Sequence, residues 1–317
     1  MKKKEPKAES KDLDVIGIGN LNMDFHISIE RFPKEDEKIL IDDLSISPGG
    51  SACNFAVACS RLGLKTGFIG HVGKDQLGKE IIRNLKDSGI DHPHIIFDEE
   101  KSSGISLAFT TKQEKHLVLS YRGANQLLNK SDLKEGYLKR ARLAHGASIT
   151  PLLAREIGEI SFNLGIGSSL DVGAEFLSIS TVNFLKIIKK FSVCFINQAF
   201  YRKIFGKAPI KKNILSDFPK GLEVLVVCKG SEGASASDGS SFFDFPACEV
   251  GVRSTTGAGD AFSAGFISSW LDTKDIQKSL RIGIAVSSLK VQEVGAQRGL
   301  PTVKELKQFL KSQGEKK

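Results

Sequence analysis

The sequence predicts a three-layer α/β fold: a doubly wound, mostly parallel sheet with helices on both faces and a small antiparallel sheet set over one end as a lid. Three observations predict it. Continuous apolar runs, the mark of strands buried on both faces, alternate with helical periodicity along most of the chain. Four shorter stretches instead alternate apolar and polar residues, the mark of a sheet with one buried face. These four come from two separate inserts, about 25–47 and 104–123, and one shared sheet is their simplest assembly.

The first buried strand is 14–20, DVIGIGN. In 25–32 the residues Phe25, Ile27 and Ile29 share a face, as do Ile39 and Ile41 in 38–47. A helix is predicted from Ser51 to Leu62, with Gly63 as its stop. A buried strand at 65–73 and a helix from Asp75 to Ser88 follow, the latter ended by Gly89. The alternating stretches 104–111 and 116–123 flank a hairpin-like turn at Lys112–Lys115. Beyond Asn125 four strands, LAHGAS, SSLDVG, SVCFIN and LEVLVVCKG, alternate with helices that include 151–164 and 174–190. The end is helical at 258–271, 274–291 and 302–312, the last opened by Pro301 and Thr302. Residues 1–12 read as a solvated tail, and so does the closing KSQGEKK. The folded domain is therefore expected at 13–312.

Composition narrows the function classes. The net charge is +8, but the lysines are scattered and no basic run is interleaved with aromatics. That suits anionic small ligands and not nucleic acid. No apolar run is long enough to span a bilayer, and no apolar core follows the charged N-terminus as a secretory signal would require. Cys53, Cys59, Cys194, Cys228 and Cys248 form no CxxC or Cys/His cluster, which reads as reduced thiols in a cytoplasmic protein.

The chemistry concentrates in STTGAGDAFSAGF, residues 254–266. Gly257, Ala258 and Gly259 let backbone N–H groups converge at a helix N-terminus, which makes an anion site. Asp260 beside that site is suited to accept the proton of an attacking hydroxyl. Taken alone, the stretch equally fits an aspartate that caps a helix. Gly49-Gly50 permits a close approach of backbone, and Asn54 follows one turn into the next helix. Asp24 lies just past a parallel strand, where open α/β sheets bind ligands, and a carboxylate there can accept from two hydroxyls. Rival motifs fail. Gly17-Ile-Gly19 lacks the third glycine of a dinucleotide loop, and Gly70-His-Val-Gly73-Lys74 lacks the P-loop spacing. The histidines show no metal-ligand spacing, and no GxSxG is present.

TTGAGDAFSAGF resembles the second signature of the ribokinase (PfkB) family of carbohydrate kinases, and other matches follow in family order. Gly49-Gly50-Ser-Ala-Cys-Asn54 resembles the first signature, and Gly70-His-Val-Gly73-Lys-Asp75-Gln-Leu-Gly78 the element behind it. Gly19-Asn20-Leu-Asn-Met-Asp24 resembles the first-strand motif whose Asp binds substrate hydroxyls. Arg122-Gly-Ala-Asn125 resembles the close of the lid insert, Lys229-Gly230-Ser-Glu-Gly233 the nucleotide-binding turn, and Gly295-Ala-Gln297 the C-terminal end. The resemblance runs from about Asp12 to about Leu310.

It implies a ribokinase-like fold and ATP-dependent phosphorylation of a sugar hydroxyl, with a nucleoside as the alternative acceptor. Asp260, Gly257, Ala258 and Gly259 would be catalytic. Asp24, Gly49, Gly50, Asn54 and Arg122 would hold the acceptor, and Asn197, Lys229, Gly230 and Gly233 the nucleotide. Magnesium would be held mainly by nucleotide phosphates and water, with no protein metal site. Apart from the resemblance, the one-sided strands leave two readings of the small sheet open, a lid over the crevice and a homodimer surface, and both can hold at once. Two departures qualify what the resemblance implies. Ser254 stands where the ribokinase branch carries an Asp that helps hold potassium, so only a weak potassium response is expected. Phe200 stands where the family carries a Glu that organises the magnesium shell. Together they motivate a rival reading, a catalytically weak binding protein with a regulatory role. Ser51, where ribokinases proper carry Lys, argues against assuming ribose.

Overall fold

A computed structural model of the chain describes residues 11–113 and 116–314. In chain order it contains β1 (Leu13–Gly19), β2 (Asn22–Ile29), β3 (Asp43–Gly49), α1 (Ser51–Arg61), β4 (Thr66–Gly73), α2 (Gln76–Asp87) and β5 (Asp91–Asp98). There follow β6 (Gly104–Thr111), β7 (His116–Tyr121), α3 (Glu135–Leu138), β8 (Ala141–Ala147), α4 (Pro151–Leu164), β9 (Gly167–Asp171) and α5 (Thr181–Ile188). The remainder is β10 (Val193–Asn197), α6 (Gln198–Phe205), α7 (Lys211–Ser216), β11 (Val224–Cys228), β12 (Ala234–Ser237), β13 (Phe242–Phe245), α8 (Ala258–Thr273), α9 (Ile276–Lys290) and α10 (Val303–Gly314).

The main sheet runs β13-β12-β11-β10-β9-β8-β1-β4-β5. The strands from β11 to β5 are parallel, and β12 and β13 add an antiparallel hairpin at one edge. From β1 the chain winds first to β4 and later to β8 on the opposite side. The carboxyl end of β1 is thus a topological switch point, where a crevice opens. Two cores lie on opposite faces of the sheet. One packs α1, α2, α8 and α9 around Phe55, Phe266 and Trp270; the other packs α4 to α7 around Phe176, Phe184 and Tyr201.

Local chemistry sets the element ends. Thr150 caps α4 through the Leu153 amide, Pro151 occupies its first position, and Gly165 closes it in the left-handed region. Ser180 caps α5, and this stop splits the expected helix 174–190 into a short 3₁₀ turn at Ala174–Phe176 and α5. Of the closing KSQGEKK, expected to be a tail, Lys311–Gly314 continue α10; residues 1–10 and 315–317 lie outside the described residues.

The second sheet runs β3-β2-β6-β7. Its two outer pairs are antiparallel as expected, and its central pair, β2 and β6, is parallel. This follows from the inserts: both strands leave the core sheet in the same direction. The predicted strand 38–47 begins only at Asp43, where the register with β2 ends at Ser28, and Leu40 is exposed. The turn expected at Lys112–Lys115 falls partly outside the described residues.

Three strands are not legible in the sequence pattern. β5 is a polar edge strand carrying Pro93, and β12 is built from the small residues ASAS, turning through Asp238-Gly239 into β13.

Candidate active site

The crevice floor is the N-terminus of α8. Gly257 takes the N-cap position in the left-handed region (φ 78°), and no side chain caps the helix. A Cβ on Gly257 would meet the Ala296 carbonyl oxygen at 2.6 Å, so only glycine fits this turn. The Ala258 amide donates to the Thr255 carbonyl oxygen at 3.1 Å, and with no side-chain cap the amides beside it are left for an anion. Gly259 has open space where a Cβ would project, which keeps that approach clear. Asp260 is the acidic residue of this first turn. Helix capping, the alternative left open by the sequence, is not its role.

Asp260 is held from two sides. The Asn54 amide donates to its Oδ2 at 2.8 Å, and Gln297 donates to Asn54 Oδ1 at 3.1 Å. The resulting Gln297–Asn54–Asp260 chain fixes which end of the Asn54 amide faces the carboxylate. Burial pushes Asp260 up to about 6, opposed by hydrogen bonds from Asn54 and Ser51 and by the field of Lys290. An aspartate so poised is ionised at neutral pH yet more basic than an exposed one.

Asp24 stands in the lid strand β2, three residues in, and not directly at the end of β1. It is 6% exposed. A Cβ on Gly49 would lie 2.0 Å from Asp24 Oδ2, and one on Gly50 (φ 97°) 2.7 Å from the Asn20 carbonyl oxygen. The Gly-Gly pair thus makes room for the Asp24 carboxylate and for the entry into α1. Burial, then the charge of Asp260, raises Asp24 to about 7. Asp171, at the carboxyl end of β9, is raised to about 7 for the same two reasons. The sequence reading missed Asp171; its signal was an acidic residue ending an apolar strand at the ligand-binding edge.

The lid is tied to this floor by polar side chains from the matched motifs. Asn125 accepts from the Leu21 amide at 2.8 Å and donates to Leu21 O and Asn22 Oδ1. Asp75 caps α2 through Gly78 and also accepts from the amide and hydroxyl of Ser103, just before β6. Both lid crossovers are therefore pinned. Arg122 reaches the wall of a cavity of about 220 Å³ that Gly19, Asn125, Ser148 and Thr150 also line. Its charge is met by Glu175 at 3.1 Å, and it donates to Ser148 O.

Asn197, Lys229, Gly230 and Gly233 lie farther along the same sheet edge, after β10 and β11. Asn197 Oδ1 caps α6 by accepting from the Phe200 amide at 2.8 Å. The Lys229 ammonium is paired with Asp244, so this turn offers a phosphate mainly its backbone. Phe200 is buried in the core with its ring 5.1 Å from that of Phe184, which removes it from any metal shell. Among the described residues no three of His, Cys, Asp and Glu form a metal-holding group. His71 and His145 are core residues, bonded to Asp132 and Ser169.

Residues 12–303 match the model of the pfkB family carbohydrate kinases. The chain belongs to this family. Membership makes it a phosphotransferase with an alcohol group as acceptor. It is 27% identical to an ATP-dependent ribose-1-phosphate kinase of Halopiger xanaduensis, over 93% of this chain and 97% of that one. It is 28% identical to a nucleoside kinase of Methanothermobacter thermautotrophicus, over 92% and 94%. The fold matches Arabidopsis thaliana ribokinase, solved with ribose and ATP, at a TM-score of 0.85 and 23% identity, over 94% of this chain and 99% of that one. As a pfkB kinase it has a ribokinase fold, and no helix among the described residues is long and apolar enough to cross a membrane.

Proposed function

We propose that this pfkB kinase transfers the terminal phosphoryl group of ATP to a hydroxyl of a sugar, free or as the sugar of a nucleoside, with Asp260 as general base. The observation that carries the proposal is the pairing of an uncapped helix N-terminus with a poised carboxylate in its own first turn. Asp24, 6% exposed, would accept from two acceptor hydroxyls, beside Gly49, Gly50 and Asn54. Asp260 would take the proton of the attacking hydroxyl as its oxygen bonds to phosphorus and the bond to the departing diphosphate breaks. The amides of Gly257 and Gly259 would meet the charge that builds on the transferred group, while Ala258, its amide bonded to Thr255 O, would hold the turn between them. Asn197, Lys229, Gly230 and Gly233 would receive the nucleotide at the far end of the crevice. Magnesium, bound with the phosphates, supplies the remaining charge neutralisation.

The lid supports a second part of the proposal. By register, Asp24, His26 and Ser47 face one side of the small sheet, and Leu44, Ile46, Leu117, Leu119 and Tyr121 the other. These five apolar side chains are all exposed. Apolar patches of this kind mark interaction surfaces, and a second copy of the chain, joined through the same face, is the occupant we propose.

Incubation with ATP and magnesium against a panel of sugars, sugar phosphates, sugar acids and nucleosides tests the activity. Phosphorylation of one class above the rest is the expected result. No turnover on any, with tight binding of one, would favour the regulatory reading that Phe200 and Ser254 suggest.

A further inference from the structure

One charged residue beneath the anion loop is left unused by this reading. Lys290 ends α9 and has no solvent exposure. Among the described residues no carboxylate forms an ion pair with it. Its Nζ instead faces two backbone carbonyls, those of Ser254 and Glu293, at 3.4 Å each. Burying an ammonium without a counterion is costly, and a Met or Leu would fill the same volume without that cost. The placement therefore points to a use for the charge.

The two carbonyls belong to the two loops that build the site. Ser254 opens the segment leading to Gly257, and the Arg253 and Ser254 amides both bond to Val291 O. Glu293 opens the segment leading to Ala296, against which Gly257 packs, and to Gln297, which orients Asn54. The Lys290 ammonium sits between them, at the negative end of the α9 dipole. Burial lowers Lys290 to about 8 against the opposing charge of Asp260, and its field in turn is a minor influence against the rise that burial imposes on Asp260.

We propose that Lys290 is a built-in monovalent cation, a positioning residue that gathers the carbonyls of Ser254 and Glu293 and so holds the anion loop and the Asn54 support in register. A protein of this design needs no bound potassium or ammonium at this place. Its kinetic consequence rests on the phosphotransfer reading; its structural consequence does not.

The test compares Lys290→Ala, which leaves a hole the size of a small cation, with Lys290→Met, which fills it. Each is measured in chloride salts of tetramethylammonium, potassium and ammonium at equal ionic strength, with magnesium fixed. The full chain should show less than about a twofold change in rate among these salts. Lys290→Ala should lose at least about tenfold in kcat in tetramethylammonium and regain most of it in ammonium or potassium, while Lys290→Met loses as much and regains nothing. Melting without substrate should follow the same order, with the Ala variant alone stabilised by the small cations.

A rate for the unmodified chain that rises about tenfold or more with potassium would overturn the proposal, and this arm needs no variant to fold. So would an Ala variant that keeps full rate and melting in tetramethylammonium, or one that falls in both and answers to no cation. A chain with no phosphotransfer on any acceptor, whose Ala variant is still stabilised by ammonium, would keep this proposal and sink the previous one.

Discussion

Three aspartates set the electrostatics of the crevice, and each has a distinct consequence. Asp260→Asn removes the base proposed at the anion loop and keeps its volume. We expect kcat to fall by roughly 10²–10⁴ with little change in KM for ATP, because the anion site is backbone. Near-normal turnover would end the assignment. The same carboxylate predicts the pH profile. With Asp260 raised to about 6 and Asp24 to about 7, both must be ionised to work, so kcat/KM for the acceptor should rise with pH and level off above the higher value. A profile flat down to ordinary carboxylate pH would contradict both. Asp171 predicts a stability effect of opposite sign. Its folded value near 7 exceeds its ordinary 3.8, so the folded state binds the proton more tightly. The stability it contributes is full below the lower value and is lost as pH rises through the upper one. Asp171→Asn should therefore stabilise the unliganded protein at about pH 8, by on the order of 1–3 kcal/mol, and change little at about pH 5. Denaturant unfolding at the two pH values would show it.

At the scale of elements, the lid depends on its two pinned crossovers. Asp75 satisfies the α2 N-terminus and the Ser103 backbone at once. Asp75→Ala should cost about 1–2 kcal/mol as a lost cap and, more tellingly, speed hydrogen exchange in β6 and β7. Exchange unchanged there would make the residue a plain helix cap. Elements of this kind also show what the sequence could and could not reveal. β1, β4, β6 and α4 were legible because apolar runs, strict alternation and paired start and stop residues all agree there. Asp24, Asn54 and Asp260 were singled out together only through the family resemblance of the motifs around them, and the structure places the Asn54 amide against Asp260. β12 was not, because ASAS is defined by the neighbours that pair with it and not by its own side chains. The parallel pairing of β2 with β6 and the neutralisation of Lys229 by Asp244 were hidden for a related reason, since both depend on which segments the fold brings side by side. Lys290 looked like one more residue of a helical stretch; only its burial set it apart.

For the whole molecule, the lid has two faces with different demands. On the function proposed above, the polar face, which carries Asp24, would close on the acceptor to exclude water, which otherwise competes for the phosphoryl group. The apolar face carries Ile46, Leu119 and Tyr121, each about half exposed in the single chain, and on the proposed dimer it would be covered by a second copy. The two demands are compatible if a pair of lids joins through the apolar faces and each core moves against that joint. The pinned crossovers near Asn20–Asn22 and Ser102–Gly104 would then serve as pivots about which the sheet turns as a unit. Leu119→Glu places a charge on the joint and should convert a dimer to a monomer by sedimentation, with the core fold retained. In the unsubstituted protein, hydrogen exchange in β3 and β7 should already be slow without substrate and should quicken on dilution, as the joint dissociates. Exchange at the crossovers and in the first residues of β2 should slow only when the acceptor is added. Protection that rises across the whole lid on adding acceptor, with no dependence on protein concentration, would mean a monomeric flap. Protection that ignores the acceptor everywhere would mean a static joint, and closure would then have to be sought in the core.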